Sequence, residues 1–367
     1  MQNASIDIVI VNYRGAADTL QALARLAPWS HGTLWLVDNS AHEPDMAAQT
    51  AALRRASADQ PGVKLLAPGS NLGFGRACNL AFAESQAEFF LLLNPDARIT
   101  GNDVLALAQT LRDRPRLGAV SPKIYWDAQR SFVLPAAFPQ TPWYSVALAL
   151  ATRSRGLAQW AALRGLKRAM RQMAATNVFK VSFLAGAVML LRRAAVLQAG
   201  GLFDPDYFMF YEDSDLSLRL RRAGFGLAIA PAACAEHAYR HKTFKAALMA
   251  KSQQQYFSKQ YPLFYQLSDK LARVTALAQP VAAARWFKVL PGPVASAAEF
   301  TRQTGAGRVL AFSPTTLLMP ALFRASPAEA RPFNEPEWDL LEPGAYTALL
   351  LGAAPAFEPD WVYFERA

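Results

Sequence analysis

The run Ile6-Asp7-Ile8-Val9-Ile10-Val11-Asn12 constrains the fold more than any other stretch of the chain. Its near-continuous β-branched residues leave no polar face, so a strand built from them must be covered on both sides, as strands of parallel sheets are. The pattern that follows repeats the same demand. A helical stretch over Ala16 to Leu26 precedes strand-like Thr33 to Val37, a helix over Ala47 to Ala56 precedes Val63 to Leu66, and a helix over Gly75 to Glu84 precedes Phe89 to Leu93. This alternation predicts an α/β architecture, a doubly wound and mostly parallel sheet whose ligands bind beyond the carboxyl ends of the strands.

A helix over Gly101 to Arg112 then leads to a strand at Gly118 to Ile124, and an irregular, basic stretch is expected from there to Asn177. Phe179 to Leu191 reads as one buried strand, Ser214 to Ala223 as a helix ended by Gly224, and Phe225 to Ile229 as a further strand. Thr243 to Tyr261 reads as a helix with Lys245, Lys251 and Lys259 toward solvent. The texture then changes. Eleven prolines fall between Pro280 and Pro359, among β-like runs at Arg308 to Phe312, Ala345 to Leu351 and Trp361 to Phe364. Prolines at that density belong at turns and sheet edges. The expected organisation is an α/β domain over residues 1–275 and a small β-rich module over 276–367.

Composition excludes several classes. A chain of 367 residues, 52% hydrophobic and 18% charged, can bury a large core and is not disordered. Cys78 and Cys234 are its only cysteines, too few for a disulfide framework or a cysteine-bound zinc. Met1 to Asp7 lack the basic and apolar regions of a signal peptide, and the longest apolar runs, such as Phe183 to Leu191, are about half the roughly 20 residues of a membrane span. These features predict a cytoplasmic protein that does not cross the bilayer.

The net charge of +10 is concentrated. Gln129 to Phe203 contains no Asp or Glu, yet holds Arg130, Arg153, Arg155, Arg164, Lys167, Arg168, Arg171, Lys180, Arg192 and Arg193. Within it Leu157, Trp160, Leu163, Leu166 and Met170 recur at helical spacing between basic residues. Such a helix either packs on its own domain or lies on the anionic inner face of a membrane. No nucleic-acid motif accompanies the charge, so nucleic acid is not an expected partner.

Chemistry is expected where apolar runs end in polar side chains. Asp38 closes the second strand and could accept a hydrogen bond from a pyrimidine imide, or cap the next turn. Asn94-Pro95-Asp96 follows the buried Phe89 to Leu93, where one carboxylate with substrate phosphates suffices for Mg²⁺ or Mn²⁺. Glu212, Asp213 and Asp215 follow an aromatic run, Tyr207 to Tyr211, and precede a helix. One of them could take a proton from an attacking hydroxyl, or all three could serve the helix N-terminus. Asp215 and Arg219 have the i,i+4 spacing of a supporting ion pair. His237 or His241 could complete a metal shell, with Arg240 and Lys242 offsetting phosphate charge, and the glycine-opened helix after Asn71 could present amides to phosphate or sugar oxygens.

Taken in order, the motifs Val11-Asn12-Tyr13, Val37-Asp38-Asn39-Ser40, Asn71-x-Gly73-Phe74-Gly75-x-x-x-Asn79, Leu93-Asn94-Pro95-Asp96, Gly186-Ala187-x-Met189-Leu190-x-Arg192-Arg193, Gly201-x-Phe203-Asp204 and Glu212-Asp213-x-Asp215-Leu216-x-x-Arg219 resemble family 2 glycosyltransferases, in particular the rhamnosyltransferase-like branch. The resemblance covers about residues 5 to 262 and implies a GT-A fold, a divalent cation (Mg²⁺ or Mn²⁺), and inversion. Its implied partners are a nucleoside-diphosphate sugar of thymidine or uridine type and a saccharide or lipid-linked acceptor. It implies Asp213 as catalytic base and Asp96 and His237 as metal-binding residues. Asn12, Tyr13, Asp38, Asn71, Gly73, Phe74, Gly75, Asn79 and Asn94 are implied around the donor, and Glu212, Asp215 and Arg219 as support or acceptor contacts. The D-x-D of many relatives is here Asn94-x-Asp96, one carboxylate fewer for the ion. Two rivals are a non-catalytic nucleotide-sugar-binding scaffold and a nucleotidyltransferase. The second would need a glycine- and lysine-rich first loop, which Val11-Asn12-Tyr13-Arg14-Gly15 does not supply.

Overall fold

The computed structural model describes residues 5–136, 140–151, 154–237, 245–266, 287–305, 308–314, 321–325, 331–351 and 360–367. Arg153, Arg240, His241 and Lys242 lie outside the described residues. The strands in chain order are β1 (Ile6–Asn12), β2 (Leu34–Asp38), β3 (Val63–Leu66), β4 (Phe89–Leu93), β5 (Ala97–Ile99), β6 (Leu117–Tyr125), β7 (Phe132–Leu134), β8 (Phe179–Val181), β9 (Val188–Arg192), β10 (Gly226–His237), β11 (Lys288–Val294), β12 (Arg308–Ser313), β13 (Leu322–Arg324), β14 (Gly344–Leu351) and β15 (Asp360–Arg366). The helices of the α/β part are α1 (Ala16–Leu26), α2 (Ala47–Ala58), α3 (Gly73–Glu84), α4 (Gly101–Asp113), α5 (Pro142–Ala151), α6 (Arg155–Ala174), α7 (Arg193–Gln198), α8 (Glu212–Arg222) and α9 (Lys245–Gln260).

The β-branched start of the chain behaves as its composition demands. Every residue of β1 is buried, because alternate side chains feed two different cores. Ile6, Ile8 and Ile10 join Phe89, Leu91 and Leu93 with Leu23, Leu107 and Leu111 from α1 and α4. Val9 and Val11 join Phe90 and Leu92 on the opposite face, with Ala77 and Ala81 of α3 and Leu216 and Leu220 of α8. The order β3-β2-β1-β4 is parallel throughout, with Ile10 opposite Leu36 and Leu93.

Beyond β4 the parallel rhythm stops. β9 is inserted antiparallel between β4 and β6, and β10 lies parallel beside β6. The ladder then runs through β7, β13, β12, β14 and β15 to β11, so α/β part and C-terminal strands share one hydrogen-bonded sheet. The joint is the antiparallel pairing of Phe132 and Val133 with Arg324 and Phe323. The three β-like runs expected near the C-terminus are strands, and Pro291 and Pro293 lie in β11 at the sheet's edge.

Three expectations need correcting. The stretch up to Asn177 contains β7 and two helices, α5 and α6, rather than irregular chain. Of the apolar residues at helical spacing on α6, only Leu166 is buried; the packed face is made with Ala162 and Ala169 against Leu310, Phe323 and Leu349 of the C-terminal strands. Small residues permit that close approach, and a search for large apolar side chains overlooks them. Phe179 to Leu191 is two strands, β8 and β9, because amides between them turn away from the sheet toward α8: Leu184 N–H donates to Ser217 Oγ at 3.3 Å and Gly186 N–H to Asp213 Oδ2 at 3.1 Å. On α9, Lys259 is exposed as expected, and its Nζ also donates to Asp204 Oδ2 at 2.7 Å and Asp206 Oδ2 at 2.5 Å.

The C-terminal strands carry their own aromatic core, including Phe300, Phe312, Phe333, Trp338 and Phe364, which also takes in Trp126 and Phe132 of the α/β part. A buried ion pair sits at its margin. Arg324 Nη1 donates to Glu337 Oε1 at 2.8 Å while its guanidinium lies over the Phe132 ring at 4.0 Å, and Arg331 Nη2 reaches the same oxygen at 2.7 Å. Removing the acid strands Arg324 in the core, so Glu337→Ala should lower stability by about 3–5 kcal/mol. The double change Arg324→Met, Glu337→Leu should cost much less. Urea denaturation followed by tryptophan fluorescence measures both.

Candidate active site at the carboxyl edge of the sheet

Asn12, Asp38 and Leu93 are the last residues of β1, β2 and β4, so the motifs that contain them reach one edge of the sheet. Asp38 is fully buried there. Its Oδ1 accepts from Asn12 Nδ2 at 2.9 Å and from the amide and hydroxyl of Ser40 at 3.2 and 2.9 Å, while Oδ2 accepts from Thr50 Oγ1 at 2.7 Å. Asn12 Oδ1 in turn accepts from Gly15 N–H at 3.2 Å and Thr19 Oγ1 at 3.1 Å. Both side chains are therefore committed to shaping the turns after β1 and β2. Tyr13, the next residue, is exposed at the rim with the Arg14 guanidinium 5.8 Å from its ring centroid.

Asn39, which the motifs contain but the candidate residues omit, links this turn to the next. Its Oδ1 accepts from Leu72 N–H at 3.1 Å, and its Nδ2 donates to Asn71 Oδ1 at 3.0 Å and to the Gly73 carbonyl at 3.1 Å. Asn71 Oδ1 also accepts from Gly73 N–H at 2.9 Å. Gly73 has φ +76°, and a Cβ there would lie 2.1 Å from the Phe208 carbonyl oxygen. Phe74 N–H donates to that same oxygen at 3.0 Å. At the far end of this contact Asn79 exchanges two hydrogen bonds with the backbone of Phe203, at 2.7 and 2.9 Å. The glycine-opened start of α3 thus grips the loop from Phe203 to Tyr211, the loop that delivers Glu212 and Asp213.

That loop is strained where it enters α8. Phe210 and Tyr211 are consecutive non-glycine residues with φ of 69° and 65°. Each left-handed residue costs on the order of 1–3 kcal/mol and persists only when its surroundings over-determine it. They do so here: Ser252 Oγ of α9 donates to the Met209 carbonyl at 2.6 Å, and the Tyr211 ring packs 5.4 Å from that of Tyr256. Asp215 is buried, with Oδ2 accepting from Arg219 Nε at 2.6 Å and Oδ1 from Gln260 Nε2 at 2.6 Å. Arg219 spends its remaining donors on the carbonyls of Ala199, Gly201 and Leu202. This pair braces backbone from the inside.

Asp213 meets the Asn94-Pro95-Asp96 turn at one corner. Its Oδ2 accepts from Gly186 N–H at 3.1 Å, and the neighbouring Ala187 carbonyl accepts from Asn94 N–H at 2.8 Å. A Cβ on Gly186 would lie 3.7 Å from both the Asp213 Cβ and the Phe74 ring. Asp96 is partly exposed, and its Oδ1 lies 3.2 Å from Nε2 of His237, a buried residue brought alongside by the pairing of His237 with Ala97. Two ligands bound at about 2.1 Å and at right angles to one another are about 3 Å apart, so these two atoms suit adjacent positions on an Mg²⁺-sized ion. Among the described residues no group of three or more His, Cys, Asp and Glu side chains is placed to hold a metal. A pair at this edge therefore fits an ion that takes its other ligands from phosphate oxygens and water.

The adjacent carboxyls of Glu212 and Asp213 have different surroundings. Glu212 is buried and its Oε2 has no hydrogen-bond partner among the described residues. Burial, reinforced by the nearby Asp213 charge, pushes its pKa up to about 8. Asp213 is also raised by burial, but the Gly186 amide and Ser214 pull it back. Donors to Asp213 and none to Glu212 Oε2 leave the pair's negative charge on Asp213, with the proton on its neighbour. A carboxyl whose pKa rises on folding holds its proton more tightly in the native chain, so stability falls as pH climbs from the ordinary carboxylate range to about 8. Melting curves from pH 5 to 8 should show the wild type losing stability relative to Glu212→Gln across that window.

Residues 5–256 match the family model described as glycosyltransferase like family 2. The chain belongs to that glycosyltransferase family, and the mixed sheet with helices on both faces is its GT-A arrangement. Among characterised proteins it is similar to N-acetylglucosaminyl-diphospho-decaprenol L-rhamnosyltransferase from two strains of Mycobacterium tuberculosis, 29% identical over a 210-residue alignment that covers 50% of this chain. The match spans 61% of the length of those relatives. Solved structures it is similar to include the mannosyltransferase PcManGT of Pyrobaculum calidifontis with GDP-Man and Mn²⁺, at TM-score 0.49, 18% identity and coverage of 77% of this chain and 73% of that one. GalNAc-T7 with UDP, GalNAc and Mn²⁺ has TM-score 0.47, 14% identity and coverage of 70% and 48%.

Proposed function

We propose that the protein is an inverting glycosyltransferase that moves a rhamnose-type sugar from a nucleoside diphosphate, thymidine- or uridine-based, to a saccharide or lipid-linked saccharide in surface polysaccharide synthesis. The observation that carries this reading is the corner where Gly186 N–H holds Asp213 beside the Asn94 to Asp96 turn. It sets a half-buried carboxylate, braced by a strained loop, next to a pair of atoms suited to a diphosphate-bound cation. The activity named for the mycobacterial relatives supports the sugar and the lipid-linked acceptor.

In this mechanism Asp213 takes the proton from an acceptor hydroxyl as that oxygen attacks the anomeric carbon. The bond from that carbon to the diphosphate oxygen breaks on the opposite face, so the anomeric configuration inverts. A divalent cation on Asp96 and His237 would supply positive charge to the departing diphosphate. Tyr13, Phe74 and Asn94 border the donor, while Asn12, Asp38, Asn71, Gly73, Gly75 and Asn79 hold the turns that shape its place. The catalytic unit occupies residues 1–275, with residues 276–367 as an appended module. Among the described residues no helix is long and apolar enough to cross a membrane, and we place the protein at the inner face of the membrane, in contact with it from the cytoplasm.

Asp213→Asn should lower transfer by about 10²- to 10⁴-fold while nucleotide-sugar binding, read as a thermal shift, stays near wild type. Asp96→Ala should weaken the shift that a nucleotide sugar gives with Mn²⁺ and leave the shift without Mn²⁺ unchanged. Retained turnover in Asp213→Asn overturns the assignment of the base.

A further inference from the structure

We propose that the outer face of α6, continued by Trp143 of α5 and by Leu263, is a docking surface for an anionic lipid bilayer. The proposal rests on the reading of a lipid-linked acceptor and adds the part of the molecule that meets the lipid. α6 spends one stripe, Ala162, Leu166 and Ala169, on the C-terminal strands. Residues 157, 160, 164, 167 and 171 follow one another on the opposite stripe, and Leu157, Trp160, Arg164, Lys167 and Arg171 are all exposed there. Trp160 is 59% exposed, and the Arg164 guanidinium lies 5.3 Å from its ring centroid. Leu163 and Met170 are exposed along its flank.

The neighbouring helix α5 packs on α6 and adds exposed apolar side chains of its own. Trp143 is 72% exposed and packs 5.1 Å from the Phe264 ring, and the adjacent Leu263 is 88% exposed. Scattered apolar side chains need no explanation, but five or more around three exposed cations do. Charge selects the occupant. No Asp or Glu occurs from Gln129 to Phe203, so a second copy of this same basic surface would set cation against cation and offer no opposite charge. An anionic leaflet supplies uniform negative charge for Arg164, Lys167 and Arg171 and an interface that accommodates tryptophan rings.

The surface also connects to the catalytic corner. Tyr256 Oη of α9 donates to the Gln140 carbonyl just before α5, and the same helix holds the Met209 carbonyl through Ser252. The segment that leads into α5 is thus tied through α9 to the loop presenting Asp213.

The experiment is sedimentation of the full chain with vesicles of phosphatidylcholine alone or with 25% phosphatidylglycerol. Binding is expected only to the anionic vesicles and should fall as salt rises. Each basic side chain near such a surface strengthens partitioning about fivefold, so Arg164→Gln, Lys167→Gln, Arg171→Gln together should weaken it about 100-fold. Trp143→Ser with Trp160→Ser should weaken binding while keeping the salt dependence. Transfer to a water-soluble acceptor should be unchanged in both variants, which separates failure of the surface from failure of the enzymatic reading. Equal binding by wild type and variants, no binding to anionic vesicles, or a change in oligomeric state in the variants overturns the proposal.

Discussion

The site depends on one approach of backbone to backbone that a side chain would block, and on one main-chain amide turned toward an acid. Gly73 can rest against the Phe208 carbonyl only because position 73 carries no Cβ, and Gly186 can offer its amide to Asp213 because β8 and β9 are separated there. The first contact fixes the loop after Phe203 against α3; the second fixes the acid that this loop delivers against the turn after β4. The polar side chains around them, Asn39, Asn71 and Asn79, work as spacers that keep the three segments in register.

Within this frame the two neighbouring carboxyls are made unequal by geometry rather than by residue type. Asp213 receives an amide and a hydroxyl, while Glu212 Oε2 receives nothing from the described residues. A buried pair relieves repulsion by holding one proton. The frame decides which member holds it.

The alternation from Ile6 to Leu93 was legible because two-faced burial leaves long β-branched or leucine-rich runs that have few other uses. The strands β12, β14 and β15 were legible for a similar reason, while β13 was not. The insertion of β9 between β4 and β6 was not, since an apolar run says that a strand is buried and nothing about its direction. The packed face of α6 was missed because alanines make it. At the site, the order of acidic and glycine-bearing motifs located the edge of the sheet correctly. What it could not tell was how these residues are held: Asp38 and Asn12 are expected around the donor, and the groups that fix them in the turns after β1 and β2 are Ser40, Thr50, Gly15 and Thr19. Asn39 and Gly186 were visible in the motifs, but their contacts run through main-chain atoms that residue type does not encode.

The hydrogen-bonded path from β3 to β11 ends, among the described residues, on a strand that carries imino acids. Pro291 and Pro293 have no N–H to offer a newcomer. A sheet of this breadth is otherwise a ready template for polymerisation, and these two rings make it a finite object on that side.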